Sequence, residues 1–219
     1  MGLPRRRLVV LARWPAPGRC KRRLAADLGS SQRAAAIQGQ LTLHTLRTAA
    51  LAAQTCGAEL LLAADGLGPR GLRRWGQQLR QGLPDRALLL GLQGGGGLGC
   101  RMQRQLRRGF AAGREQLVLI GSDLPALEGR DLELAFQALE QQPLVLGPAT
   151  DGGYWLIGLN RTGFRRAGAR LMAGIPWGSD QVLAATLQRA EALQLPPLLL
   201  RRQSDLDQRA ALEPWIRRR

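Results

Sequence analysis

Gln116-Leu117-Val118-Leu119-Ile120-Gly121-Ser122-Asp123-Leu124-Pro125 decides the fold. Five residues rich in Val, Leu and Ile, stopped by glycine and then a carboxylate and a proline, read as a strand buried on both faces that ends in a loaded turn. Leu8-Val9-Val10-Leu11-Ala12 repeats the pattern near the start of the chain and breaks at Trp14-Pro15-Ala16-Pro17-Gly18. Between these two runs, strands at 59–64 and 86–90 alternate with helices at 31–54, 70–81 and 100–112. Ser31 serves as the first helix's cap and Cys56-Gly57 as its stop. Further on, the pattern gives a helix at 130–141, strands at 144–146 and 154–157, a helix capped by Ser179 that runs to 193, a strand at 196–200 and a helical tail from Asp207. Strands alternating with helices of this length predict an α/β fold with a mostly parallel sheet covered on both faces. No repeat, linker or composition break divides residues 1–219, so a single domain is expected.

Composition excludes several classes. No apolar run approaches the roughly 20 residues of a membrane helix, and the run after Arg5-Arg6-Arg7 stops at Arg13, too short for a secretory leader; a cytoplasmic protein is expected. Cys20, Cys56 and Cys100 are far apart and form no C-x-x-C pair, so free thiols are expected. The one histidine, His44, lies in a helical stretch with no second histidine to join, which argues against a zinc site or a Ser-His-Asp triad.

The net charge of +16 raises the question of nucleic acid. The arginine pairs and triplets are spread along the whole chain, however, and one Tyr with three Phe gives little to stack bases on, so no specific nucleic acid is expected. Of the 32 basic residues Lys21 is the only lysine, leaving 31 arginines. A lysine that survives such a bias marks either chance or a position that needs a compact ammonium and not a planar guanidinium.

Ligands of open α/β sheets bind beyond the carboxyl ends of the strands. After the first strand come Arg13, then two prolines, Gly18, and Arg19, Lys21, Arg22 and Arg23. Stiffened backbone amides with clustered cations make a phosphate cradle, and a basic surface turn is the plainer alternative. The loop lacks the G-K-[ST] of a P-loop ATPase. Asp123 stands at the end of the clearest strand, where it either helps hold a nucleotide-bound magnesium ion or caps its turn. Asp151-Gly152-Gly153-Tyr154 sets an acid beside two glycines and an aromatic face, with room for a ring. Asp180 falls at a helix N-terminus, which the dipole favours whether or not it functions. Asp205 and Asp207 follow the last strand and could close a metal site.

A-R-W-P-A-P-G-R-C-K-R-R-L resembles the A-K-x-P-x-P-G-x-x-K-T-R-L signature of the DUF2064 family, within the GT-A nucleotide-diphospho-sugar transferase superfamily. G-L-G-C-R-M, I-G-S-D-L-P-A-L, G-P-A-T-D-G-G-Y-W-L-I-G-L, I-P-W-G-S-D and S-D-L-D follow in the family's order, over roughly residues 8–207. Arg13, Arg22 and Gly97 depart from the family's usual Lys, Thr and acid.

The resemblance implies a three-layer GT-A-like (Rossmann-like) domain. It implies nucleotide binding by Arg13, Pro17, Gly18, Lys21, Arg23 and Arg101, and an acceptor side at Gly152, Gly153, Tyr154 and Asp180. It also implies a magnesium or manganese ion on Asp123 and Asp207, and chemistry carried by Asp123, Lys21 and Asp151. The implied activity is glycosyl transfer from a nucleotide-diphosphate sugar to a small-molecule acceptor. Nucleotidyl transfer with release of pyrophosphate is the alternative.

Overall fold

In the computed structural model, which describes residues 5–84, 87–206 and 212, the two apolar runs are neighbouring parallel strands. These are β1 (Arg6–Arg13) and β4 (Gln116–Ile120), paired with Val10 opposite Ile120. On the far side of β1 lie β2 (Ala58–Asp65) and then β3 (Leu88–Leu92), both parallel to it. On the far side of β4 lies β6 (Tyr154–Asn160), followed by β5 (Leu144–Pro148) and the short β7 (Leu198–Leu199). β6 is antiparallel to both its neighbours, β4 and β5, while β7 runs parallel to β5. The sheet is therefore mostly parallel, in the order β3-β2-β1-β4-β6-β5-β7.

Alternation along the strands divides the core into two layers. Leu8, Val10 and Ala12 of β1 face α2 (Ser31–Thr55), α3 (Pro69–Gln81) and α5 (Gly129–Ala138), which bring Leu46, Trp75 and Phe136 to that side. Val9 faces the opposite layer, built from α4 (Leu98–Ala111), α6 (Arg161–Ala167) and α7 (Val182–Ala192) with Met102, Leu106 and Ala190. With both faces covered, the central strands β1, β4, β6 and β5 are largely buried, which explains their continuous apolar runs, while β3 and β7 towards the sheet edges are more exposed. The result is a three-layer α/β architecture.

Several boundaries differ from the sequence reading, each for a local reason. The cap of α2 is Ser30, whose Oγ accepts from the Arg33 amide at 3.2 Å, one residue before the expected Ser31. α7 starts at Val182 because Ser179 turns its hydroxyl back to Pro176 O at 2.8 Å instead of capping a helix. Asp180 therefore precedes the helix instead of opening it. A short helix, α1 (Arg22–Asp27), and α6, capped by Asn160 Oδ1 on the Gly163 amide at 2.8 Å, carry too little apolar pattern to be read in advance. The expected tail helix from Asp207 lies outside the described residues apart from Leu212. Among the described residues no helix is long and apolar enough to cross a membrane, and Cys20, Cys56 and Cys100 are free thiols.

Candidate active site

The carboxyl ends of β1, β2, β3 and β4 open on a cleft of about 900 Å³. Because β6 runs the other way, it begins where its neighbours end: Tyr154 pairs with Pro148, and Leu156 with Ile120. A hairpin start and four strand ends thus share one mouth.

After β1 the chain is tied to β2 by the Trp14 amide on Asp65 O at 2.9 Å and then turns through Gly18, whose φ of +74° suits a residue without Cβ. Cys20 is buried against Ala16 O, and burial pushes its thiol up from the ordinary range. Lys21 adopts the left-handed conformation, φ 49° and ψ 47°, which is uncommon for a residue with a side chain. Its side chain is only 2% exposed, and Nζ lies 2.8 Å from Asp123 Oδ2. Gln38 of α2 donates to the other oxygen, Asp123 Oδ1, at 2.7 Å, and is buried beside Ser122. The lone lysine and the strand-terminal aspartate therefore form one buried-to-exposed ion pair on the cleft floor, oriented by an amide from a helix.

The β2 end holds a carboxylate the sequence reading passed over. Asp65 pairs with Arg101 Nη1 at 2.6 Å and Arg13 Nε at 3.4 Å. Burial would raise its carboxyl, but the Arg101 hydrogen bond with the charges of Arg101 and Arg13 outweighs that and holds it below the usual carboxylate range. Asp65 closes β2 and Asp123 follows the end of β4, so the same rule could have found both. Gln38 is a different case, because nothing distinguishes a glutamine in the middle of a helix.

Beyond β5, the Ala149 amide bonds Gly153 O at 2.9 Å and Asp151 Oδ1 accepts from the Gly153 amide at 2.9 Å, closing the turn into β6. Gly152 has φ +85°, and a Cβ there would lie 2.0 Å from the Asp180 carbonyl oxygen. The space beside Gly152 is thus filled by the backbone of Asp180, while Gly153 and Tyr154 still face the cleft. Tyr154 stands edge-on to Trp177, with ring centroids 6.2 Å apart, and burial pushes its phenol well above the ordinary range.

Arg13, Lys21, Arg23, Arg101, Asp123, Asp151, Gly153, Tyr154 and Asp180 all line the cleft, together with Asp65, Gln38, Trp177 and Asp205. Pro17 and Gly18 sit exposed on the loop outside the lining, and Gly152 lies behind Asp180. Asp207 falls outside the described residues; its neighbour Asp205 is in the lining, and the following Leu206 amide bonds Asp123 O at 3.1 Å. Among the described residues no three His, Cys, Asp or Glu side chains cluster as a ready-made metal site.

A family model described as "Uncharacterized protein conserved in bacteria (DUF2064)" matches residues 40–179, well over half of the chain, and the chain belongs to that family. The match takes in Asp65, Arg101, Asp123, Asp151–Tyr154 and Trp177 but starts after the cationic loop. No curated protein matches the sequence. Among solved structures, the chain is similar to a protein of Desulfovibrio desulfuricans G20 described as a "putative nucleotide-diphospho-sugar transferase". The TM-score is 0.80 at 26% identity, covering 94% of this chain and 84% of that one. 4-diphosphocytidyl-2C-methyl-D-erythritol synthase from Anaerococcus prevotii has a TM-score of 0.61 at 8% identity, covering 98% and 97%, which shows a shared fold. A manganese complex of Rv0371C from Mycobacterium tuberculosis H37Rv has a TM-score of 0.51 at 16% identity, covering 97% and 98%.

Proposed function

We propose that this member of the DUF2064 family is a transferase that takes a nucleotide-diphosphate sugar and moves its sugar to an acceptor hydroxyl. The observation that carries the reading is the Lys21–Asp123 pair at 2.8 Å on the cleft floor, with Arg13, Arg23 and Arg101 also lining the cleft. Cations that line one end of a cleft beside a carboxylate suit a diphosphate accompanied by a metal ion, and suit bare apolar or nucleic-acid ligands poorly. The similarity to the Desulfovibrio protein, by its description a nucleotide-diphospho-sugar transferase, supports the choice of sugar.

The residues fit a magnesium or manganese ion of the kind that takes one or two carboxylates from protein and the rest from phosphate and water. Asp123 is 36% exposed at the cleft, and Asp205 lines the same space. Asp123, with Asp205 beside it, would hold the ion; Asp207 remains a candidate outside the described residues. Bound there, the ion supplies charge neutralisation for the departing diphosphate.

The chain's own residues do the rest. Arg13, Arg23 and Arg101 bind the phosphates, and Asp65 fixes the guanidinium of Arg101 so that it costs little reorganisation when charge develops. Gln38 orients Asp123. Lys21 releases Asp123 and turns its ammonium to the diphosphate. Asp151 takes the proton of the acceptor hydroxyl as the bond from that oxygen to the sugar's anomeric carbon forms and the bond to the diphosphate breaks. Catalysis on this reading is mostly positioning and electrostatics.

Nucleotidyl transfer is the second reading. It is favoured by Lys21 lying on the cleft floor directly after a proline- and glycine-bearing turn. Both readings place Asp123 at the phosphates, so Asp123→Asn tests what they share. The variant should fold and lose the metal-dependent rise in melting temperature that a nucleoside diphosphate gives the parent protein. An undiminished metal-dependent rise in the folded variant would refute the assignment.

A further inference from the structure

The chain carries 32 basic and 16 acidic residues, yet the charges that line the cleft segregate by the part of the chain that supplies them. Among the described lining residues up to Leu124, four are cationic, Arg13, Lys21, Arg23 and Arg101, against Asp65 and Asp123. From Ala149 onward the described lining residues include three acids, Asp151, Asp180 and Asp205, and no arginine or lysine. Arginines are not scarce in that stretch of sequence. Arg161, Arg165, Arg166 and Arg189 lie on α6 and α7 off the lining, and Arg202 donates to Ala149 O at 3.4 Å without lining the cleft. Asp205 sits on the Asp123 side, joined through the Leu206 amide, which leaves Asp151 and Asp180 as the charged groups of the acceptor wall.

The same wall holds Trp177. Its indole is half-buried, packed edge-on to Tyr154 and close against the first turn of α4, where a Cβ on Gly99 would meet its Nε1 at 2.6 Å. Those contacts fix the ring on two sides while the residue still lines the cleft. A rigid aromatic surface with carboxylates and the Ser179 hydroxyl around it matches a ring compound with one apolar face and several hydroxyls. The carboxylates accept hydrogen bonds from hydroxyls, and they repel an anion.

Resting on the transferase reading above, we infer that the acceptor is an uncharged polyhydroxylated ring, a sugar or cyclitol, seated on Trp177 with its hydroxyls on Asp151 and Asp180, and that phosphorylated acceptors are rejected. Specificity here comes as much from repulsion of the wrong ligand as from attraction of the right one.

The test uses the full chain with Mn²⁺ and a nucleoside diphosphate, titrated by tryptophan fluorescence with neutral monosaccharides and cyclitols and with their monophosphates. At least one neutral ring should bind, and its monophosphate at least ten-fold more weakly. Trp177→Ala should weaken binding of the neutral ring, read by calorimetry, at least ten-fold and leave nucleoside diphosphate affinity within two-fold; Trp177→Phe should recover most of the loss. Asp180→Asn, an exposed position, should narrow the discrimination against the monophosphate. Equal or tighter binding of monophosphates, or a Trp177→Ala variant that binds the neutral ring normally, overturns the inference. A protein that selects neutral rings but binds no nucleoside diphosphate keeps this inference and overturns the transferase reading.

Discussion

Gly152→Ala isolates a close approach of two backbones at the cleft. The alanine would have to hold φ near +85°, where an L side chain costs about 1–2 kcal/mol. Its Cβ would also lie 2.0 Å from Asp180 O, and that oxygen belongs to backbone that can yield only by moving the segment ahead of α7. Forced overpacking of this kind adds about 1–3 kcal/mol. Together the two terms come to about 3 kcal/mol, which at about 2–4 °C per kcal/mol for a chain of this size lowers the melting temperature by about 6–12 °C. Gly153→Ala is the control. Gly153 has no positive φ, and its Cβ would meet only the Asp151 carboxylate, nearest at 3.1 Å, on an exposed side chain that can shift by a few tenths of an ångström while keeping its bond to the Gly153 amide. That variant should lose less than about 1 kcal/mol. Thermal unfolding of both variants beside the parent decides the matter. Equal melting temperatures for Gly152→Ala and Gly153→Ala would refute the claim that Asp180 fills the space at Gly152.

Two further perturbations follow from the ion pairs. Lys21→Arg conserves charge but puts a longer planar group where the lysine side chain is 2% exposed and aimed at Asp123, so it should cost about 1–3 kcal/mol of stability and at least ten-fold in turnover. Wild-type turnover would make the lone lysine an accident of composition. Glu59 accepts from Arg114 at 2.7 and 2.9 Å and from Arg7; burial alone would raise its carboxyl, and the two arginines more than reverse that. Its folded pKa is therefore below its unfolded value of about 4.3, so its stabilisation is present above that pH and is lost as pH falls through the folded value. Glu59→Gln should cost about 3–5 kcal/mol at neutral pH and flatten the acid limb of a stability-against-pH curve. An unchanged acid limb would show that Glu59 is not coupled to folding.

What the sequence disclosed depended on how local its cause was. β1 and β4 were legible because strands covered on both faces read as unbroken apolar runs, and Asp123 was legible because it ends one of them. Asp65 obeys the same rule but closes β2 after Ala63-Ala64, a weaker signal, and its pairing with Arg101 crosses from β2 to α4. The reversal of β6 is a matter of topology, and it is what brings Tyr154 and Asp151 to the cleft. The meaning of Gly152-Gly153 also turned on a distant residue. Two adjacent glycines look alike in sequence, yet one is required by the backbone of Asp180 and the other is not. Gln38 carried no sequence signal, because its role exists only once α2 lies beside β4.

The bond that breaks is the central claim, and the products report it directly. The protein should be incubated with Mg²⁺, a neutral polyol acceptor and, in separate reactions, labelled nucleotide-diphosphate sugars and labelled nucleoside triphosphates, with the phosphorylated products resolved by chromatography. Glycosyl transfer predicts release of a nucleoside diphosphate from a nucleotide-diphosphate sugar, abolished by Asp123→Asn, with no pyrophosphate formed from triphosphates. Stoichiometric pyrophosphate from a nucleoside triphosphate, with nucleotide-diphosphate sugars left intact, would contradict the account.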